Sequence, residues 1–277
     1  VTPAVEVVVI NNGSTDDTAA VGAEGAARHP WLRFQSNVAN LGNDPSGLRL
    51  LELARGTWCW GLGDDEPVAW EHLGALLAVL EQERSAVVRI PGPGAKRLGT
   101  GPRSFASLDE LIRGLPSLID FQEGSGTILR TAAALPHLRA AYRYAGRLHV
   151  ATPLQFQMIE AGGRLTIHDV PLLKERDKKP PRWPQIEAHV GAWETMRECV
   201  PPHLRGIVDR AQLRGRWRAM VEMARAGTLG NGPPLDSLQL RRILWLLPLR
   251  KWRHLTGVFL YLAVKGWRKD RPVDTGY

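Results

Sequence analysis

The chain has 277 residues, of which 44% are hydrophobic and 23% charged, with a formal net charge of +8 and a pI near 9.9. This composition excludes a disordered chain and is enough to bury a full core, either as one large domain or as one domain with an appendage. Cys59 and Cys199 are the only cysteines, which excludes a disulfide framework and fits a reducing compartment.

The charge is unevenly spread. Acidic residues crowd the first third, among them Glu6, Asp16, Asp17, Asp44, Glu52, Asp64, Asp65, Glu66 and Glu71, whereas the end of the chain is basic. Such segregation points to a metal-and-substrate half and a surface-binding half. No signal peptide is visible, and Val1 is not a natural start, so a preceding segment is expected.

Val5-Glu6-Val7-Val8-Val9-Ile10 reads as a buried parallel strand. Asn11 and Asn12 stand at its tip. Ser14-Thr15-Asp16-Asp17 then reads as a capping box, with Ser14 accepting from the backbone near Asp17. A helix is expected over 19–29, a short strand over 32–34, a turn-rich loop over 37–43, and a helix over 47–54 that Gly56 stops. Thr57-Trp58-Cys59-Trp60 reads as the next strand, and it runs into Gly61-Leu62-Gly63-Asp64-Asp65-Glu66.

Three consecutive carboxylates repel one another, and a cation among them relieves that repulsion. Hard oxygen ligands suit Mg²⁺ or Mn²⁺, which also take phosphate oxygens. The end of a strand is where open α/β sheets bind ligands. A solvated acidic turn before the helix at 71–84 is the alternative reading.

Further on, the expected elements are a strand at 86–90, a loop at 91–102, a helix from Ser107 to about Leu115, and a small-residue segment at 121–130. His149 precedes a helix at 153–161 that Gly162-Gly163 ends, and a strand follows at 164–170. Residues 171–183 are basic, proline-rich and poor in core positions, so they read as a loop. Residues 186–226 read as helical and 227–234 as a linker. The tail interleaves Trp245, Trp252, Phe259 and Trp267 with arginines and lysines. No apolar run in it reaches the ~20 residues that span a bilayer. Aromatic and basic residues at helical spacing suit either an in-plane helix on an anionic membrane or a helix pair docked on the domain.

Strand, Asn11-Asn12-Gly13-Ser14-Thr15-Asp16-Asp17-Thr18, Asn40-Leu41-Gly42, and an aromatic strand ending in acids occur in an order that resembles family 2 glycosyltransferases of the GT-A fold. Trp60-Gly61-Leu62-Gly63-Asp64-Asp65 is most similar to the abequosyltransferase-like subgroup that builds bacterial surface polysaccharides. The resemblance implies an α/β fold: a GT-A-type, Rossmann-like mixed sheet flanked by helices, with a helical basic C-terminal extension. It divides the chain into a glycosyltransferase domain at 1–183, lacking the family's first strand and helix, and a helical region at 184–277.

The resemblance also implies a metal-dependent, inverting, hexosyltransferase-type reaction. Mn²⁺ or Mg²⁺ would be held by Asp65 and Glu66. A UDP-, GDP- or TDP-sugar would be contacted by Asn11, Asn12, Asn40, Gly42, Asp64 and Arg176, and Arg176 would fork onto the diphosphate. Most members carry an aspartate as base near the helix at 153–161. Here His149 stands closest, with Asp120 and Glu123 as competitors, and a histidine without a role is the bland reading. The expected acceptor is a lipid-linked oligosaccharide of the O-antigen or cell-envelope type, met at the cytoplasmic face of the membrane. Nucleic acid is not expected, because the tail is too apolar. Two rivals are a nucleotidyltransferase and a catalytically degenerate binding or assembly protein.

Overall fold

The computed structural model describes residues 5–92, 101–115, 118, 121, 124–174, 187–229 and 237–246. Two sheets organise it. Strands β1 (Val7–Asn11) and β2 (Leu32–Ser36) pair in parallel, Val7 opposite Leu32 and Asn11 opposite Ser36, with helix α1 (Thr18–Arg28) as the crossover. Helix α2 (Asn43–Leu53) leads to the second sheet, whose strand order is β3-β6-β4-β7-β5. These strands are β3 (Trp58–Trp60), β4 (Val87–Arg89), β5 (Arg103–Phe105), β6 (Thr127–Arg130) and β7 (Leu165–Ile167).

Strands β3 and β4 both run against β6, β7 runs with β4, and β5 runs against β7. So β3, β4 and β7 share one direction. Glu6, just before β1, accepts the amides of Arg55 (2.6 Å) and Gly56 (3.2 Å), just before β3. The two sheets therefore start from a common end, and the outgoing ends of β1, β3, β4 and β7 form one rim.

Period-two alternation sorts the central strands between two apolar layers. Val87, Leu129, Leu165 and Phe105 face one cluster, built with α4 (Leu108–Gly114), α7 (Ala151–Glu160), α8 (Ala192–Cys199) and the start of α9 (Pro202–Leu229). Val88, Ile90 and Ile128 face the other, against Leu76 of α3 (Leu73–Gln82). Val87, Val88, Ile90 and Ile128 are wholly inaccessible to solvent.

Several boundaries differ from the sequence expectation. Helix α2 starts at Asn43 rather than 47, because Gly42 turns the chain at φ +85° and Pro45 is tolerated within a first helical turn. Ser14 does not cap α1. Its own amide goes to Asn11 Oδ1 (2.9 Å), and Asp16 receives the Thr18 amide (3.0 Å) instead. Strand β5 lies just beyond the expected loop, and residues 131–144 coil through α5 (Thr131–Ala134), α6 (Leu138–Ala141) and 3₁₀ turns. A π-helical turn at Glu187–Gly191 precedes α8, and α9 runs to Leu229 through the start of the expected linker.

Helix α10 (Ser237–Leu246) docks on the domain. It buries Leu240, Ile243 and Leu246 against Met220, Val221 and Ala224 of α9, while Arg242 pairs with Glu194. Among the described residues no helix is long and apolar enough to cross a membrane. The basic tail at 247–277 lies outside the described residues.

Candidate functional site

At the tip of β1 the amide side chains bond to one another and to nearby backbone. Asn11 is buried; its Oδ1 accepts from the Ser14 amide, and its Nδ2 donates to Ser36 Oγ (3.3 Å). Asn12 is the hub. Its Nδ2 donates to Asn40 Oδ1 (2.8 Å) and the Gly42 carbonyl (3.2 Å), and its Oδ1 accepts from Asn37 Nδ2 and the Leu41 amide, both at 3.0 Å. Asn40 Oδ1 also takes the Gly42 amide at 2.9 Å. The 37–42 loop is thus laced onto the strand tip. Gly13, at φ +74°, is where the two backbones touch: a β-carbon there would meet Asn40 N at 2.6 Å, so only glycine fits. Asn12, Asn40 and Gly42 share this network, and Asn11 joins it through its backbone carbonyl, which accepts the Asn37 amide at 2.8 Å.

The acidic turn follows β3 along the same rim. Asp64 and Asp65 are exposed and Glu66 is half-buried. The turn is anchored from below: Trp60 Nε1 donates to the Ser125 carbonyl (2.7 Å), the Ser125 hydroxyl donates to Glu66 Oε1, and Trp58 Nε1 donates to the Leu80 carbonyl (3.1 Å). The small-residue segment at 121–130 therefore abuts the carboxylates through Ser125. Gly126 packs the same segment against the end of β4, since a β-carbon would sit 2.6 Å from the Ile90 carbonyl oxygen. Beyond the turn, the backbone at Pro67 to Ala69 pairs with Leu172 to Lys174, with Ala69 N 2.7 Å from Leu172 O and Lys174 N 2.9 Å from Pro67 O. The described part of the basic stretch, Pro171 to Lys174, thus runs beside the acids, and Lys174 Nζ lies 3.4 Å from Glu71. Arg176 itself lies outside the described residues, as do Asp120 and Glu123.

Among the described residues no three His, Cys, Asp or Glu side chains gather into a metal cage. The donor set nonetheless fits a magnesium- or manganese-type ion carried by a diphosphate. Such ions take one or two protein carboxylates and fill the remaining positions with phosphate oxygens and water. Thiolate chemistry is disfavoured, because burial pushes both Cys59 and Cys199 up to about 11.

His149 is half-buried at the entrance to α7, where its carbonyl accepts the Thr152 amide at 3.0 Å. The turn before it holds Leu148 at φ +61°, the one described non-glycine residue at positive φ. Asp44 reaches this turn from α2: its Oδ2 accepts the Leu148 amide at 2.7 Å. The sequence reading missed Asp44. No local signal marked it, because its partner lies 104 positions away.

An α/β sheet with a polar strand tip and an acidic turn on one rim defines an enzyme of the class that binds ligands across outgoing strand ends. The family described as Glycosyl transferase family 2 matches residues 2–142. The chain belongs to this family and is a glycosyltransferase. A comparison with curated proteins gave no match. Among solved structures, the chain is similar to S. aureus TarS 1-349 in complex with UDP, at 13% identity and a TM-score of 0.58, covering 95% of this chain and 80% of that one. The same protein in complex with UDP-GlcNAc gives 14% identity and a TM-score of 0.53 over 97% and 85% of the two chains. The mannosyltransferase PcManGT from Pyrobaculum calidifontis, in complex with GDP-Man and Mn²⁺, gives 17% identity and a TM-score of 0.46 over 96% and 79%. The TarS likeness shows the GT-A fold, and family membership sets aside the nucleotidyltransferase reading.

Proposed function

We propose that the enzyme moves a sugar from a nucleotide-sugar to a hydroxyl of a lipid-linked glycan, with inversion at the anomeric carbon, as in the abequosyltransferase-like subgroup. The carrying observation is the Asp64-Asp65-Glu66 turn, its aspartates exposed and its glutamate anchored through Ser125 and Trp60, on the same rim as the Asn12 network. Asp65 and Glu66 would hold Mn²⁺ or Mg²⁺, which supplies Lewis-acid neutralisation of charge on the departing diphosphate.

In this reading the 37–42 loop shapes the nucleoside pocket. The Asn11 and Asn12 side chains already bond within the protein, so recognition there falls to the loop's shape and backbone. Asp64 meets the ribose or the metal, and Arg176 meets the diphosphate. The acceptor oxygen attacks the anomeric carbon and the C–O bond to the diphosphate breaks. The leaving nucleoside diphosphate keeps the bonding electrons, and the acceptor proton passes to His149, with Asp120 and Glu123 as the competing bases. The TarS structures carry UDP and UDP-GlcNAc, which makes a UDP-sugar the first donor to test. The basic end of the 184–277 region would meet anionic lipid at the cytoplasmic face of the membrane.

The test is donor turnover with and without Mn²⁺. Mn²⁺-dependent release of nucleoside diphosphate is the expected result. Release of pyrophosphate, or no turnover with UDP-, GDP- or TDP-sugars in the presence of a glycan acceptor, would overturn the reading.

A further inference from the structure

Asp44 is 2% exposed, an unusual position for a carboxylate. It occupies the first turn of α2, where the helix dipole favours negative charge. Its partners explain its burial. Oδ2 takes the Leu148 amide at 2.7 Å, and the nearby Gly146 and Arg147 amides of the same turn favour the charged form. Gly146 at φ +88° and Leu148 at φ +61° turn the chain here, and the Leu148 amide faces the carboxylate. Burial still raises the Asp44 carboxyl above its ordinary value, outweighing those amides.

A leucine in the left-handed region costs on the order of 1–2 kcal/mol and persists only where its surroundings impose it. The Asp44 carboxylate holds the amide of this residue, and the next residue is His149. Helix α2 holds the same segment a second time, through Glu52 Oε1 and the Tyr142 hydroxyl (2.8 Å). Its leading end also closes the nucleotide-side network, since Gly42 bonds to Asn12 and Asn40, and Ser46 Oγ accepts from Asn37 Nδ2 (3.3 Å).

We propose that Asp44 is a positioning residue: by gripping the 146–148 turn from the end of α2, it sets His149 in register with the nucleotide-side loop. The proposal rests on the reading of His149 as the base, and two readouts keep their failures apart.

Amide exchange at Leu148 reports the grip directly, and steady-state donor turnover reports its use. Both are measured on the full chain as wild type, Asp44→Ala, Asp44→Asn and His149→Ala. Asp44→Ala is expected to speed Leu148 exchange at least about tenfold, the loss of a buried hydrogen bond. It should also lower kcat by about 10- to 100-fold with donor KM within about threefold, the mark of a misplaced catalytic group. Asp44→Asn keeps an acceptor oxygen and should restore slow exchange and most of kcat.

Unchanged Leu148 exchange in Asp44→Ala would overturn the grip. Faster exchange with unchanged kcat would overturn positioning. A fully active His149→Ala would overturn His149 as base and, with it, the positioning role, leaving the grip judged by exchange. If Asp44→Ala does not fold, Asp44→Glu, which pushes the carboxylate off the amides by one methylene, is read in the same way.

Discussion

The two sheets are built on different principles. In the central sheet, Val87, Val88, Ile90, Ile128 and Leu165 are fully buried, and helices α3 and α7 to α9 cover its faces. In the β1–β2 pair, Val7 and Val8 are only half-buried, Val9 is 37% exposed, and α1 buries no residue at all. The Glu6 carboxylate and the Asn12 network hold this pair, where the central sheet relies on apolar contact. A region held by directional bonds keeps a defined polar shape but opens more readily than one held by packing. The nucleotide-side candidates sit on the weaker sheet, and the carboxylates sit at the edge of the stronger one.

The largest effect should come from emptying the stronger region. Phe156 is fully buried and stacks on Phe121 at 5.9 Å between ring centroids. Phe156→Ala should cost about 3–5 kcal/mol in urea unfolding. Val8→Ala on β1 should cost under about 1 kcal/mol, since little of Val8 is sealed from water. Equal costs would mean that the two sheets are one cooperative core.

Next in size is Asp65→Ala. It should reduce Mn²⁺-dependent transfer by about a hundredfold or more, a loss of metal-held charge stabilisation. The Tm of the metal-free protein should stay within about 1 °C, as expected of an exposed side chain away from the core. A large fall in Tm would make the residue structural. Asn12→Ala separates the regions in another way. It removes the hydrogen bonds to Asn37, Asn40, Leu41 and Gly42. The Leu41 amide should exchange faster and the nucleoside diphosphate should bind about tenfold more weakly, while global stability falls by about 1–2 kcal/mol at most.

How legible each region was in the sequence follows the same division. The motif-bearing strands, the acidic turn and the helices at 18–28 and 73–82 announce themselves by period and by turn residues. Strand β5 does not, because Arg103-Ser104-Phe105 offers one apolar side chain and no alternation. Residues 131–144 break into pieces around Pro136, each too short to show a helical period. The amide network was half legible. Asn11, Asn12, Asn40 and Gly42 were all singled out, but nothing local says that the Asn12 side chain bonds to Asn40 and to the Gly42 carbonyl, as many as 30 positions away. Asp44 was invisible for the same reason. A burial that depends on a turn a hundred residues away leaves no mark on its own neighbourhood.

The smallest effect expected is a pH dependence that belongs to the central sheet. Glu83 ends α3. Burial alone would raise its carboxyl, but bonds from His168 Nε2 (2.6 Å) and from the Ser85 and Arg84 amides (both 2.8 Å) outweigh it and bring Glu83 down to about 2 from 4.5. The same corner holds Arg130, whose Nη2 donates to the Glu83 carbonyl (2.8 Å) and whose guanidinium lies 4.2 Å from the centre of the Trp58 ring. A depressed carboxyl contributes stability that is fully present above 4.5 and is lost as pH falls through about 2. Wild-type stability should therefore drop across that window, and Glu83→Gln should flatten the drop while costing about 1 kcal/mol near neutral pH. Glu6 is the matching carboxylate of the β1–β2 pair. It is also lowered, because the Arg55 amide and Arg33 outweigh its own burial. Its removal should loosen exchange in β1 and β2 without changing the acid limb of global unfolding. If Glu6→Gln flattens that limb as much as Glu83→Gln does, the weaker sheet is part of the global unfolding unit, and the distinction between a packed half and a hydrogen-bonded half does not hold.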